Sequence, residues 1–333
     1  MDDLFADAVR QLLTDQCSPA VVRAIEAGGS HADLWQQIEA AGFADALVPE
    51  SAGGSGLALA DVYPVLELCG TFAVPVPLGE TLLARGLISA AGASVPQGSV
   101  TFGEGRFQAD GRLHCTQVRC GTKADWVLVN SSGNCRLLPA AGAQQEVAGF
   151  CLDANMSWPS AVWEAARVVV GTHDLVVLQA ALYAAQLAGA LMAVFSRTLQ
   201  YANERQQFGK PIGKFQAIQH QLSVMSEHAF AARMAAQLGM RAEGLVPDRL
   251  RVAMAKARTS EAALEVAGLS HSIHGAIGFT LEFDLQLFTR RLHAWRQAAG
   301  SESYWHDVVG QALLDSPHAL SLELIRTLTD PVA

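Results

Sequence analysis

The chain has 333 residues, of which 50% are hydrophobic and 17% charged. This length predicts about two domains, and the apolar content excludes global disorder. The 32 acidic and 23 basic residues give a net charge of −9, which argues against nucleic-acid binding because that affinity comes from clustered Lys and Arg. We therefore expect no nucleic acid among the partners of this protein.

Neither a metal site nor a disulfide framework is predicted. The six cysteines form no CxxC pair, so we interpret them as buried thiols in a reducing compartment. His220, His271 and His274 have no Cys or carboxylate at ligand spacing, and we interpret them as helix-end or cofactor-contacting groups.

One segment is apolar enough to cross a bilayer. It runs from Leu175 to Phe195, but it is rich in alanine and contains Gln179 and Gln186. We interpret it as a buried helix of a bundle. Since the acidic N-terminus also lacks the basic start of a signal peptide, we expect no membrane partner and a cytoplasmic location.

Residues 1–97 predict an N-terminal helical domain with one break. Apolar residues from Leu12 to Ala41 recur at helical intervals, and Gly42 ends a turn. Pro49 precedes three glycines within 53–56, which predicts a loop over 47–56. A helical pattern then resumes from Ala58 to Leu68.

Residues 98–170 predict a short β domain of at most seven strands, because β-prone runs at 99–102, 112–116 and 126–129 are separated by glycine-containing turns. Residues 171–333 predict long helices broken near 209–213, 244–248 and 275–278. The predicted fold is mainly α with a small β domain: N-terminal helices, a short central β domain and a C-terminal four-helix bundle.

Four segments carry a resemblance that covers nearly the whole chain. They are residues 34–56, ADWVLV at 124–129, YANERQQFGKPIGKFQAIQH at 201–220 and HGAIGFT at 274–280. In this order they resemble the acyl-CoA dehydrogenase family, flavoenzymes that oxidise an acyl thioester between its α and β carbons. The resemblance implies FAD as cofactor, an acyl-CoA as substrate and an electron-transfer flavoprotein as electron acceptor.

The break after residue 204 has the chemistry of a dinucleotide site. A fixed Arg205 can clamp a diphosphate through paired N–H donors, and Phe208 offers an apolar face. In the family, the matching segments hold the ADP half of FAD across a subunit interface, which implies an oligomer. The residues expected to bind FAD are Arg205, Gln207, Phe208, Ile212, Phe215, Gln216, Gly275, Ala276, Gly278 and Ser301.

The catalytic base of the family has no counterpart at its usual positions. A carboxylate must remove the α proton, yet the two positions where the family carries it match Gln179 and Ala299. The flavin cradle is also reduced. The family's T-E-P-x-x-G-S-D stretch is absent between residues 81 and 105, and its Trp-Ile-Thr falls on Arg119–Cys120–Gly121.

These departures favour a non-catalytic subunit that pairs with a second acyl-CoA dehydrogenase-like chain and completes the FAD site of that chain. One alternative keeps the chain catalytic with a displaced base, for which Glu302 is preferred over Glu282 and Asp284. Another is a structural protein of the same family without flavin. Arg249, Arg251, Lys256 and Arg258 could support nucleic-acid binding in that case, but their spacing is typical of a solvated helix face.

Overall fold

The computed structural model describes residues 2–150, 152–171, 174–317 and 320–330. The helices are α1 (Asp2–Gln16), α2 (Pro19–Glu26), α3 (Ala32–Ala40), α4 (Tyr63–Thr71), α5 (Leu78–Ala90), α6 (Ser160–Ala165), α7 (Leu175–Glu204), α8 (Gln216–Gly239), α9 (Arg249–His274), α10 (Leu285–Gln297), α11 (Glu302–Leu314) and α12 (Ser321–Thr329). The strands are β1 (Val100–Phe107), β2 (Arg112–Val118), β3 (Trp126–Ser131), β4 (Asn134–Pro139), β5 (Gln144–Val147), β6 (Ala154–Pro159), β7 (Arg167–Val169), β8 (Gln206–Gln207) and β9 (Lys210–Pro211). The predicted fold class, mainly α with a small β domain, is confirmed.

The central strands form one seven-stranded sheet with the order β5-β6-β2-β1-β3-β4-β7. β1 pairs with β3 in parallel, from Val100 opposite Trp126 to Glu104 opposite Asn130. The other pairs are antiparallel. Trp158 is fully buried in the core of this sheet and donates its indole N–H to the carbonyl of Pro139 at 2.9 Å. The three predicted β-prone runs lie in β1, β2 and β3, except that Ser99 precedes β1.

The chain divides into two compact units within its described residues. The first contains 2–65, 74–175 and 244–246, and the second contains 66–73, 176–243 and 247–330. The N-terminal helices and the sheet thus share the first unit, and the helices from α7 onward make up most of the second. The boundaries 1–97, 98–170 and 171–333 stay a prediction.

In the first unit, local sequence signals end and join the helices as expected. Gly42 adopts the left-handed conformation (φ +74°), which terminates the turn after α3. The predicted loop over 47–56 contains only a short 3-10 turn at Glu50–Ala52. Behind it, the buried Arg85 of α5 pairs with Glu39 and Asp45 and donates to the carbonyl of Gly98 at 2.9 Å. This cation fixes α3, α5 and the start of β1 to one another.

In the second unit, α4 and α7 cross at van der Waals distance between their backbones. A Cβ added at Gly189 would lie 1.9 Å from the carbonyl oxygen of Glu67, and a Cβ added at Gly70 would lie 1.9 Å from that of Gln186. Both positions therefore require glycine. The most apolar stretch of α7 is 83% buried within the protein, as predicted for a core helix, and no other described helix is long and apolar enough to span a membrane.

α9 is the central helix of the second unit, with α8, α10 and α11 packed on it. Asp248 caps its N-terminus by accepting from the backbone N–H groups of Leu250 and Arg251. Lys256 lies in the interior with no exposed surface. The interpretation of residues 249–258 as a solvated basic face is therefore wrong for Lys256, although Arg249 is exposed.

Most of the cysteine side chains lie in the interior, as predicted. Cys17, Cys69, Cys115 and Cys135 are buried, and Cys120 is half-buried. Burial raises the pKa of the Cys115 thiol to about 12, so this thiol is inert at neutral pH. Cys151, also predicted to be buried, lies outside the described residues.

Candidate functional site

A two-residue turn projects from the end of the longest helix. α7 ends at Glu204, and the hairpin β8–β9 follows, with Phe208 and Gly209 at its tip in the left-handed conformation (φ +51° and +77°). The hairpin is fastened to the helix end, because the N–H of Ile212 donates to the carbonyl of Arg205 at 2.8 Å. Arg205 thus stands at a helix end, as predicted, and Ile212 is buried beneath the hairpin.

The outer surface of this hairpin is both aromatic and cationic. Phe208 is 90% exposed and makes an edge contact with Phe215 at 6.1 Å. The ammonium of Lys210 lies 4.4 Å above the Phe215 ring, and Arg205 is exposed beside them. The exposed ring of Phe208 and the two cations, Arg205 and Lys210, together suit a ligand that has an apolar ring and an anionic group. The predicted Gln207 and Gln216 are also exposed here.

The glycine segment forms a short 3-10 turn, Gly275–Phe279, directly after α9. Gly275 has φ +64° with open space where a Cβ would lie, and Ala276 is exposed. Gly278 is different, since a Cβ there would meet His274 at 3.0 Å and His271 at 3.2 Å. The backbone of Gly275 and Ala276 is therefore accessible at the surface, whereas Gly278 is buried and packs closely against the two histidines.

Stacked rings join the last turn of α7 to the end of α9, next to the glycine segment. Tyr201, one turn before the end of α7, stacks on His274 at 4.3 Å, and Phe279 stacks on His271 at 4.3 Å. Nδ1 of His274 lies 2.8 Å from the carbonyl of Ser270; since a carbonyl only accepts, Nδ1 carries the proton. Burial lowers the pKa of both imidazoles, which keeps them neutral at pH 7. The sequence did not single out Tyr201, whose ring holds His274 at the start of the glycine segment.

The segment 297–301, which we call the α10–α11 loop, contains the position where the family carries its base. Ala299 and Gly300 adopt positive φ angles of +51° and +97°. The indole N–H of the buried Trp305 donates to the carbonyl of Ala299 at 2.9 Å. Ser301 is the N-cap of α11 and accepts from the N–H of Tyr304, so the hydroxyl predicted to contact FAD already has a partner within the chain.

The three carboxylates considered as displaced bases lie in two places. Glu302 is paired with Arg296 across the α10–α11 loop. Asp284 lies 3.8 Å from Arg197, and Asp284 and Glu282 line a cleft of about 260 Å³ together with Tyr201. Gln179, at the other position for a base, is half-buried on α7.

The turn that matches the family's Trp-Ile-Thr is closed by an ion pair. Arg119 donates to Asp153 at 2.6 Å, and the backbone N–H of Cys120 donates to the same carboxylate at 3.1 Å. Both charged side chains are largely buried, with 13% and 6% exposure. The hydroxyl of Thr101 also donates to the carbonyl of Arg119 at 2.7 Å. The hydrogen-bonding groups of this turn are thus engaged with Asp153 and Thr101 of the same chain.

The chain also has a cavity of about 840 Å³ in the first unit, lined by Trp126, Leu137, the loop 94–97 and alanines of α6. None of the residues predicted to bind FAD lines this cavity. Among the described residues, no group of three or more His, Cys, Asp or Glu side chains could hold a metal ion.

Two protein-family models match the chain: acyl-CoA dehydrogenase, N-terminal domain, over residues 2–93, and acyl-CoA dehydrogenase, C-terminal domain, over residues 177–314. The acyl-CoA dehydrogenase IpdE2 of Mycobacterium tuberculosis is 30% identical over 297 residues, which are 88% of this chain and 91% of the relative. The IpdE2 of Mycolicibacterium smegmatis is 29% identical over 301 residues, 90% of this chain and 94% of that relative.

Solved structures share the fold over almost the full length. A variant of the Tcur3481–Tcur3483 steroid ACAD matches with a TM-score of 0.81 and 26% identity, covering 94% of this chain and 98% of that chain. The ChsE4–ChsE5 complex from Mycobacterium tuberculosis matches with a TM-score of 0.80 and 22% identity, covering 95% and 98%.

Proposed function

This chain belongs to the acyl-CoA dehydrogenase family, whose cofactor is FAD, and we propose that it is the non-catalytic subunit of a heteromeric acyl-CoA dehydrogenase. The observation that carries the proposal is an asymmetry. The hairpin 206–211 presents a 90% exposed Phe208 beside Arg205 and Lys210, whereas Ala299 and Gln179 stand where the family has a carboxylate base.

In this proposal, the chain supplies the adenylate end of a FAD site that a second acyl-CoA dehydrogenase-like chain completes. Bound FAD would accept the hydride that leaves the β carbon of the substrate. Arg205 would pair with the diphosphate, Phe208 would cover an apolar edge of the adenosine, and Gly275 and Ala276 would let the backbone approach the ligand. The carboxylate that removes the α proton would belong to the partner.

Two observations support placing the flavin ring and the catalytic base on the partner. The Arg119–Asp153 pair closes the turn that the resemblance assigns to the ring. Glu302, the preferred displaced base, is held by Arg296. The acyl-CoA would be bulky and steroid-derived, since a solved relative at 26% identity is a steroid ACAD. An electron-transfer flavoprotein as acceptor and a cytoplasmic location belong to the same proposal.

The test is to purify the chain alone and after co-expression with a homologue that has a glutamate before its Gly-Thr pair. The solitary chain should bind little FAD and show no dehydrogenation, whereas the complex should be yellow and active. Arg205→Gln in this chain should lower FAD occupancy of the complex. Arg106→Gln, which removes an exposed arginine of β1, is the matched control and should not.

Stoichiometric FAD and full activity from the solitary chain would refute the proposal and favour a displaced base. A colourless complex in every preparation would instead favour a structural protein without flavin.

A further inference from the structure

The α10–α11 loop is held from below by a buried ammonium group. Lys256 of α9 has no exposed surface. Its Nζ donates to the carbonyl of Arg296, to the carbonyl of Gly300 and to the hydroxyl of Ser260, each at 2.9 Å. An ammonium group is a donor only, so these carbonyl and hydroxyl oxygens are suitable acceptors for it. Burying a charge is costly unless it is hydrogen-bonded, so these hydrogen bonds are what keeps the ammonium group in the interior.

The loop needs such support, because its conformation is unfavourable by itself. Ala299 has φ +51°, which a residue with a Cβ adopts rarely. The carbonyl of Arg296 lies in the last turn of α10, where carbonyls lose their helical partners. Lys256 donates to this carbonyl and, at the far end of the loop, to the carbonyl of Gly300. A cation at a helix C-terminus also interacts favourably with the partial negative charge there.

We propose that Lys256 is a positioning residue: it sets the backbone of the α10–α11 loop and thereby the N-terminus of α11 at Ser301, the residue expected to contact FAD. Lys256 itself would touch neither cofactor nor substrate. The inference rests on the proposed function for its effect on FAD, but its effect on the loop concerns this chain alone. Both effects can be measured separately.

The loop effect is measured by amide hydrogen exchange of residues 297–301 in the cofactor-free chain. Lys256→Met removes both bonds to the loop, so exchange there should accelerate about tenfold or more, the loss expected for charge-assisted hydrogen bonds. Thr259→Val is the matched control, since it removes a buried hydroxyl of the same helix whose bonds, to the carbonyls of Ala255 and Lys256, lie within α9. Its loop exchange should stay within about twofold of wild type, below the 1.4 kcal/mol that a tenfold change represents.

Lys256→Gln separates positioning from packing and also covers the case in which Lys256→Met does not fold. Glutamine keeps N–H donors, whereas methionine has a similar length and none. Slower loop exchange in Lys256→Gln than in Lys256→Met, or folding of Lys256→Gln alone, supports positioning. Equal or slower exchange in Lys256→Met overturns it, because it shows that Lys256 only fills space.

The cofactor effect is measured as the Kd of FAD for the co-expressed complex, by flavin fluorescence. Lys256→Met should raise this Kd about tenfold, whereas Thr259→Val should leave it unchanged. If Arg205→Gln weakens FAD binding and Lys256→Met does not, the inference fails and the proposed function stands. If Arg205→Gln has no effect on FAD, the proposed function fails, and the hydrogen-exchange result decides the loop role by itself.

Discussion

The crossing of α4 and α7 allows a stability change to be estimated from geometry. Gly189→Ala adds one methyl group at a point where that carbon would lie 1.9 Å from the carbonyl oxygen of Glu67, 2.8 Å from its carbonyl carbon and 2.9 Å from the backbone nitrogen of Thr71. All three obstacles are backbone atoms of α4, so no side-chain rotation relieves the overlap. The two helices would have to move apart.

Non-bonded carbon atoms prefer a separation of roughly 3.5 Å, so the helices must separate by more than an ångström. Overpacking of this kind costs about 1–3 kcal/mol and occasionally more. Alanine recovers about 0.5–1 kcal/mol relative to glycine through its helix propensity. Because the obstacle is rigid, we place the overpacking cost at or above the upper end of its range, for a net destabilisation of about 2–3 kcal/mol.

Gly268→Ala is the control, since Gly268 lies within α9 and nothing lies within 4 Å of its added Cβ. It should raise the free energy of unfolding by about 0.5–1 kcal/mol. The assay is urea unfolding followed by far-UV circular dichroism. Once the helices have parted, a second methyl at Gly70 should cost less than it does alone, so the Gly70→Ala/Gly189→Ala pair should be less than additive. Equal destabilisation by Gly189→Ala and Gly268→Ala would refute the crossing argument.

Three further predictions concern the candidate site. Phe208→Ala should weaken FAD binding by the complex, with a loss of about 1–3 kcal/mol of binding free energy if the ring packs on the adenosine. The melting temperature of the chain alone should stay constant, because the ring is 90% exposed. An unchanged Kd would contradict this placement. Glu302→Gln should change turnover of the complex by less than about tenfold, because the carboxylate is paired with Arg296; a loss of about 10²–10⁴-fold would identify a general base instead. Burial lowers the pKa of His274 below 6.5, so between pH 6.5 and that lower value the unfolded chain binds a proton that the folded protein does not, and stability must fall on acidification. Urea midpoints at pH 7.5 and 5.5 should therefore differ more in wild type than in His274→Gln, and equal differences would exclude this linkage.

Features that depend on local chemistry could be predicted from the sequence. Pro49 and the glycines that follow it predicted the loop over 47–56, and Gly209 and Pro211 predicted the break after α7. The β-prone runs between glycine-containing turns predicted three strands of the sheet, because strand composition and turn chemistry are local signals. In contrast, the bounds of α5 could not be predicted from the sequence. It is buried on nearly all sides, so it has no polar face, and Gly79 and Gly86 within it weaken a helical pattern.

Features that depend on tertiary contacts could not be predicted. Lys256 belongs to a run of basic residues, and only the packing of α10 and α11 against α9 shows that its ammonium lies inside. Lys256 is assumed to be solvated because charges usually are. Likewise, only the return of the chain after Gln297 shows that Arg296 pairs with Glu302, which stays a candidate base. Arg119 and Asp153 are 34 residues apart, a separation at which sequence carries no pairing signal.

The contacts that shape the α10–α11 loop reach the main chain of residues 299 and 300 and leave the side chain at 299 out of the arrangement. The conformation of the turn therefore does not depend on the side chain at position 299, and Ala299→Glu would place a carboxylate there without removing either backbone contact. In the proposed heteromer, this single substitution would test whether the turn of this chain can hold a base at the position that the resemblance assigns to it.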